Sequence, residues 1–373
     1  MRGALLLALL AACPSPQKAP LASRPEGGAS GETPEAHRKR LIAELEDEIL
    51  SSYERDDVPD IDTPLIPANV GPARIGVGPG DVLFGDEVRL RASSRWPLFV
   101  SPSMPTSVRS KRLDVHLSHD HQPGRMDPSA AWMSDEVSWR IGVCGHTAAI
   151  PLRITALYAH DGDRWVEVFE HLSFARMPQP YYVLAGDNKY EVELRGSPMI
   201  RPGEQPIVDR RLADDLSRVL QALFSRNTAR IEAVVATDPT HAAEDDPSRP
   251  APTFVLAPDP DSEWHGDQDV ARLATLVDGT LRAEDRRIGT IGTSPDKATI
   301  AYWVGNFVAD LGAQPGIAAG KVRLRGTFVF EKREGRWIVV QGHLSEPIDD
   351  ADLAMTVFGT SLISDKPLAV TCD

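Results

Sequence analysis

"GRWIVVQGHLSEP", residues Gly335–Pro347, has a close copy far upstream in "DRWVEVFEHLSFA", Asp163–Ala175. Aligning Trp165 with Trp337 extends the match backwards without a gap, so that Ile150–Ser173 lies over Val322–Ser345. Nine of the 24 pairs are identical, among them Leu152/Leu324, Arg153/Arg325, Thr155/Thr327, His171/His343 and Ser173/Ser345. Both stretches alternate apolar and polar residues around a polar tip, His160–Asp163 in one and Lys332–Gly335 in the other. Asp-Gly and Glu-Gly at such a tip predict a hairpin. In the later copy Val322, Leu324, Phe328 and Phe330 fall on one face and Arg323, Arg325, Thr327 and Glu331 on the other. That period of two predicts strands with one dry side.

The same order of elements is expected around each hairpin. "VSWRIG" at Val137 parallels "IAYWVG" at Ile300, each after an Asp-containing turn (Ser134-Asp135-Glu136 and Ser294-Pro295-Asp296-Lys297). Thr33-Pro34-Glu35 is a helix start, and Leu41, Leu45, Ile49 and Tyr53 follow on one face. Asp209 caps a second helix with Leu212, Leu216, Leu220, Leu223 and Phe224 as its apolar stripe. Further helices are expected over Thr228–Ala236 and Asp267–Asp278, the latter closed by Gly279. Helices followed by a strongly paired sheet define the α+β class. Two such units, 34–180 and 205–365, are joined by a linker with extra strands over 181–204 and followed by a tail, 366–373.

The chain has 373 residues, 42% hydrophobic, with a formal net charge of −14. That balance excludes a nucleic-acid partner, which needs a basic stripe. "MRGALLLALLAAC" supplies a positive Arg2 and an apolar run from Ala4 to Ala12. The run is too short for a bilayer span of about 20 residues and right for a secretory signal. Its end, Leu10-Ala11-Ala12-Cys13, resembles the bacterial lipobox. The resemblance implies a signal peptide over 1–13, acylation of Cys13 and a lipid bilayer as partner. "PSPQKAPLASRPEGGASGE" then reads as a disordered tether over 14–33. Pro14 after Cys13 follows the pattern of outer-membrane sorting, so the expected location is the cell envelope, lipid-anchored. Cys144 and Cys372 would be free to pair in an oxidising compartment, or to stay unpaired.

"FVLAPDPDSEWHGDQDV", Phe254–Val270, resembles the signature of SnoaL-like domains, carried here by Asp259, Pro260, Asp261, Glu263, Trp264 and Gly266. With "ATIAYWVGNF" and the later hairpin, the resemblance covers Asp209–Pro347. It implies the nuclear-transport-factor-2-like (NTF2-like) superfamily, in which helices close a curved sheet into a cone with a mostly apolar cavity. Two such cones are the expected architecture. The first is degenerate, with "VLFGDEVRLRASSRWPLFV" standing where the signature should be. Members often dimerise through the outer faces of their sheets. A pairing within one chain is therefore expected, through the faces Trp165, Glu167, Phe169, His171, Ser173 and Trp337, Val339, Gln341, His343, Ser345. Val166, Val168, Leu172 and Ile338, Val340, Leu344 would then line the cones.

Two functional readings follow. The first is a membrane-anchored module that binds a small apolar ligand, lined by Trp264, Tyr302, Trp303 and Phe328, or docks an envelope protein. The alternative is an acid–base enzyme of the cyclase, isomerase or hydratase kind, with Asp261 and Glu263 as candidate catalytic carboxylates, one serving as general base. Fold alone does not choose catalysis, so the binding reading leads. His171 and His343 recur in both copies, which points to packing or an interface. His116, His119, Asp120 and His121 in "DVHLSHDHQ" offer metal-ligand chemistry at a spacing that fits no structural zinc pattern. No cofactor motif is legible: there is no phosphate loop, nucleophile elbow, His-Glu-x-x-His or Cys-x-x-Cys, and "IGVGPGD" at Ile75 reads as a turn.

Overall fold

The computed structural model describes residues 32–55, 75–77, 82–84, 106–120, 127–143, 146–161, 164–174, 181–184, 190–193, 209–236, 253–256, 263–265, 279–292, 297–311 and 320–345. Helix α1 (Pro34–Arg55) opens at the expected Pro34. Its stripe of Leu41, Leu45, Ile49 and Tyr53 is buried against one side of the first sheet, with Met133, Ile154, Ala156 and Leu172. Helix α2 (Arg210–Leu223) is capped by Asp209, whose carboxylate accepts from the Arg211 amide at 2.9 Å. That bond satisfies one of the orphan N–H groups of the first turn. The expected third stretch is shorter than predicted, α3 (Thr228–Glu232), capped by Asn227. The helix expected over Asp267–Asp278 lies outside the described residues, as do Cys13, Cys144 and Cys372. Among the described residues no helix is long and apolar enough to cross a membrane.

The first sheet contains β1 (Ile75–Val77), β2 (Val82–Phe84), β3 (Thr106–Ser110), β4 (Asp114–Leu117), β5 (Ala130–Val143), β6 (His146–Asp161) and β7 (Arg164–Phe174). Its order is β2-β1-β7-β6-β5-β3, with β4 also on β5. A two-stranded ribbon, β8 (Tyr181–Leu184) and β9 (Tyr190–Glu193), follows in the linker. The second sheet contains β10 (Phe254–Leu256), β11 (Glu263–His265), β12 (Gly279–Ile291), β13 (Ile300–Leu311), β14 (Gly320–Arg333) and β15 (Arg336–Ser345). Its order is β11-β10-β15-β14-β13-β12. The two orders coincide position by position. In each, a short antiparallel hairpin lies parallel to the last strand, Ile75 opposite Phe169 and Phe254 opposite Gln341.

The hairpins at the centre of both sheets share their register, and each breaks it at the corresponding place, Leu157/Tyr158 and Val329/Phe330. A bulge puts two residues of one strand opposite one of its partner. Here the extra residues are Val168 on β7 and Val340 on β15. On β15 the backbone freed at the bulge finds new partners: the Val339 amide donates to the Val234 carbonyl at 2.8 Å and the Thr253 hydroxyl donates to the Val339 carbonyl at 2.5 Å. The β14–β15 tip is a two-residue turn with Glu334 and Gly335 both at positive φ, 50° and 79°, the geometry that matches strand twist.

The bulges correct the face assignment drawn from strict alternation. Val168, Ile338 and Val340, expected to line the cones, lie between the two sheets in a core with Phe169, Leu157, Trp132, Tyr302 and Val329. Trp165 packs instead on the helix side of the first sheet, and Val339 and Trp337 on the helix side of the second, where Leu344 stands as expected. Beyond the bulge the predicted face holds, and His171, Ser173, His343 and Ser345 meet between the sheets. The "one dry side" is also corrected: Arg325, Thr327 and Glu331 are buried, because their face lies against another sheet rather than solvent.

Two pairings made on sequence motifs shift. Ala130 pairs with Ala159, whose counterpart Glu331 pairs with Ile300. The structural partner of "IAYWVG" is therefore "AAWMSD", not "VSWRIG", and the expected turn at Ser134-Asp135-Glu136 lies inside β5. Likewise the hairpin "IGVGPGDVLF", not the stretch that starts at Val82, occupies the place of "FVLAPDPDSEWH". Strand β12 was not expected, since its run of Arg and Glu has no apolar period. Its irregularity between Ala283 and Arg286 falls where the first sheet breaks its edge into β3 and β4.

Candidate functional site

Three places gather chemistry. The first is the helix side of the second sheet. Phe307, Phe328 and Trp303 are all fully buried there beneath α2, with Phe224 at its end. Phe328 lies edge-on to Phe307 and Phe224, ring centroids 5.6 and 5.9 Å apart, and Trp303 stacks on Phe307 at 6.5 Å. Such pairs add about 0.5–1.5 kcal/mol each beyond area burial. Glycines make the room: a Cβ on Gly342 would stand 2.7 Å from Phe328, and one on Gly326 would collide with Phe307. The Trp303 indole N–H has no hydrogen-bond partner, and the Arg286 guanidinium lies over its ring at 5.0 Å. This interior is a packed aromatic core.

The second place is the helix side of the first sheet, and its chemistry is opposite. Where β14 and β15 set Phe328 against Gly342, β6 and β7 set Ala156 against Glu170. Glu170 is buried and alternates onto the face of Leu172, under α1. Asp135 shares the face of Met133 and Val137 and is 2% exposed. Its Oδ1 accepts from the Ser110 hydroxyl at 3.1 Å and the Arg112 amide at 3.2 Å, which fastens the corner between β3 and β4. Oδ2 makes no hydrogen bond of ordinary length. Burial pushes the Asp135 carboxyl up from its ordinary value. Ser110, the Arg112 amide, the Tyr53 hydroxyl from α1 and the Lys111 amide oppose that shift only in part. Sequence reasoning missed both acids, because Asp135 was read as a turn residue and Glu170 as one of several polar residues on a half-exposed strand.

The third place lies between the sheets. The His171 and His343 rings stack with centroids 3.8 Å apart and an interplanar angle of 18°. Their bonds are reciprocal. His343 pairs with the Thr155 hydroxyl at 3.0 Å and the Ser173 hydroxyl at 2.7 Å. His171 pairs with Thr327 at 3.0 Å and Ser345 at 2.8 Å. Both rings are fully buried. Burial first, then the neighbouring ring and the guanidinium groups of Arg325 and Arg153, hold His171 well below its ordinary range; burial, Arg153 and Arg325 do the same to His343.

The remaining candidates do not converge. Tyr302 lies between the sheets against Phe169, ring centroids 6.1 Å apart, and burial pushes its hydroxyl up. Trp303, the next residue along the strand, faces the other way, so the two cannot line one cavity. Glu263 and Trp264 sit on β11 opposite Leu256 and Val255; Asp261 and His121 lie outside the described residues. Asp120 accepts from the Ser118 and Ser129 hydroxyls, both at 2.5 Å, and from Thr299 of the second half. The His119 amide donates to Glu331 at 2.5 Å, and His116 pairs with Asp114 at 3.0 Å. His116, His119 and Asp120 are thus engaged separately, and no metal-holding group is found among the described residues.

Comparison with known proteins agrees with the second sheet. The SnoaL-like domain family matches residues 250–349, a span that contains β10 to β15, so this region is a SnoaL-like domain. Solved structures similar to the chain include three with NTF2-like or association-domain names. An NTF2-like protein of Pseudomonas putida is 16% identical over 42% of this chain and 94% of that one, TM-score 0.28. Another from Shewanella oneidensis is 13% identical over 36% and 99%, TM-score 0.26. The association domain of C. elegans CaMKII is 14% identical over 36% and 93%, TM-score 0.26. No curated protein matches.

Proposed function

We propose that the chain is a lipid-anchored binding module of two SnoaL-like halves, which docks an envelope protein rather than turning over a substrate. The observation that carries this reading is the aromatic core of the second half. Phe307, Phe328 and Trp303 fill the space over Gly326 and Gly342 where a SnoaL-like cone would hold a ligand. The matching strand order of the first sheet supports a second SnoaL-like half, paired to the first within one chain. Native mass spectrometry of the purified chain tests the packed interior: no retained small molecule is expected, and a stoichiometric ligand lost in Phe328→Ala overturns it. Cys13 tests the anchor. Palmitate labelling is expected in the wild type and absent in Cys13→Ser; labelling that persists removes the anchor from the proposal.

One observation favours the acid–base alternative, and it moves that alternative to the first half. Asp135 is a buried carboxyl with a raised proton affinity and one oxygen without a close partner, the properties of a general acid. If it serves chemistry, Asp135→Asn removes a substrate-dependent signal while keeping the fold. If it only fastens the β3–β4 corner, Asn serves equally well.

A further inference from the structure

We propose that the stacked His171–His343 pair is an acid-sensitive latch between the two sheets, closed while both rings are neutral and opened when they take up protons. The hydroxyl cage makes the pair suited to this. Thr155, Ser173, Thr327 and Ser345 can each donate or accept, so all four bonds survive a change in ring protonation. What changes is charge alone. A proton on either ring places an imidazolium 3.8 Å from its neighbour, between sheets whose facing apolar core includes Leu157, Val168, Val329 and Val340.

Among the described residues the hydrogen bonds to the two rings come from hydroxyls and not from a carboxylate, and the buried Glu170 next to His171 alternates onto the opposite face of β7. From β6 comes Arg153 and from β14 Arg325, both buried and both positive. The flanking strands β1 and β10 bring Ile75-Gly76-Val77 and Phe254-Val255-Leu256, without a charge. Glu331, farther along β14, is engaged by the Arg333 Nε at 2.7 Å and the His119 amide. Arg287 on β12 adds a further buried positive group, beside Tyr302. An unfolded or opened chain restores both imidazoles to their ordinary pKa of about 6.5. Closed-state affinity for protons lies below that of the open state, so acid favours the open state. Stability is full above pH 6.5 and falls as pH drops below it, by up to about tenfold in the closed-to-open ratio per His for each pH unit.

The test follows pH 7.5 to 5.0 on the full chain by small-angle scattering, far-ultraviolet circular dichroism and urea midpoint, in the wild type and in His171→Gln/His343→Gln. The latch predicts a wild-type chain that expands below pH 6.5 with its strand signal kept, and a steep pH dependence that the double variant flattens. Equal pH dependence in both proteins overturns it, and so does expansion accompanied by loss of the strand signal. Should the double variant fail to fold, the wild type decides alone. Uptake of two protons coupled to expansion supports the latch, and uptake of fewer than one overturns it.

Discussion

The pairing of Phe328 with Gly342 can be tested with a sign, not only a size. Gly342 sits in the middle of β15, where alanine ordinarily stabilises a strand by roughly 0.5–1 kcal/mol relative to glycine. Here the added methyl would lie 2.7 and 2.9 Å from two Phe328 ring atoms and 3.3 Å from Val255, well inside ordinary carbon–carbon contact. Phe328 is itself held by Phe307 and Phe224, so its ring cannot swing away. Overpacking of this kind costs about 1–3 kcal/mol, which reverses the sign expected of a free strand position. Phe328→Leu alone should cost on the order of 2 kcal/mol as a large-to-small core change. Combined, the two substitutions should recover about 1–2 kcal/mol of their summed cost, since the smaller side chain makes room for the methyl. Urea unfolding of the four proteins of the cycle measures this coupling. Additivity within about 0.5 kcal/mol, or a Gly342→Ala variant more stable than wild type, refutes the argument that glycine is there to seat the ring.

Asp120→Ala should lower stability by about 2–3 kcal/mol in urea melts, because it leaves the Ser118, Ser129 and Thr299 hydroxyls without their shared acceptor. Asp120→Asn, which keeps one oxygen, should cost less. Asp135 carries a pH prediction of opposite sign to the histidines. Its folded carboxyl holds a proton to higher pH than the unfolded one, so its contribution is lost as pH rises from about 4. Asp135→Asn is neutral throughout, and its urea midpoint should gain on the wild type between pH 4 and 7; parallel curves would refute burial as the dominant cause. Gly335→Val, at φ 79° in the β14–β15 turn, should cost about 1 kcal/mol, against little effect from an equivalent change at Glu334→Asn, a residue tolerant of that region.

The central hairpins and the starts of the two long helices were legible because each rests on a short-range signal. Asp209 and the Leu212–Leu223 stripe behave as their spacing requires. The faces of β7 and β15 were not legible past Val168 and Val340. A bulge adds one residue without changing composition, and strict alternation then reverses every assignment on one side of it. Burial of both sheet faces hid a second fact. A strand face made of Arg and Thr on β6 and β14 reads as wet, yet Arg153, Thr155, Arg325 and Thr327 are enclosed, and the opposing sheet supplies an imidazole to each Thr hydroxyl. The slipped match at "VSWRIG" has a similar origin. One aromatic and one glycine attracted the alignment, while the true counterpart "AAWMSD" has exchanged its residues for ones of different size.

That exchange of size explains how two sheets of one strand order come to differ inside while agreeing outside. The faces that meet must fit each other, and their central bonds are reciprocal: Thr155 and Ser173 on one ring, Thr327 and Ser345 on the other. A change on one sheet there leaves an unsatisfied buried group on its partner, at a cost of about 1–3 kcal/mol. The helix sides carry no such mutual constraint. Ala156 with Glu170 and Phe328 with Gly342 are two ways of filling one space beneath a helix, the first leaving a carboxylate in the interior and the second a phenyl ring. Holding both sheets in one chain makes the division possible, since the face that each half buries meets a half of different sequence. Among the described residues, the second half buries aromatic rings beneath its helix, and the first buries the acids Asp135 and Glu170.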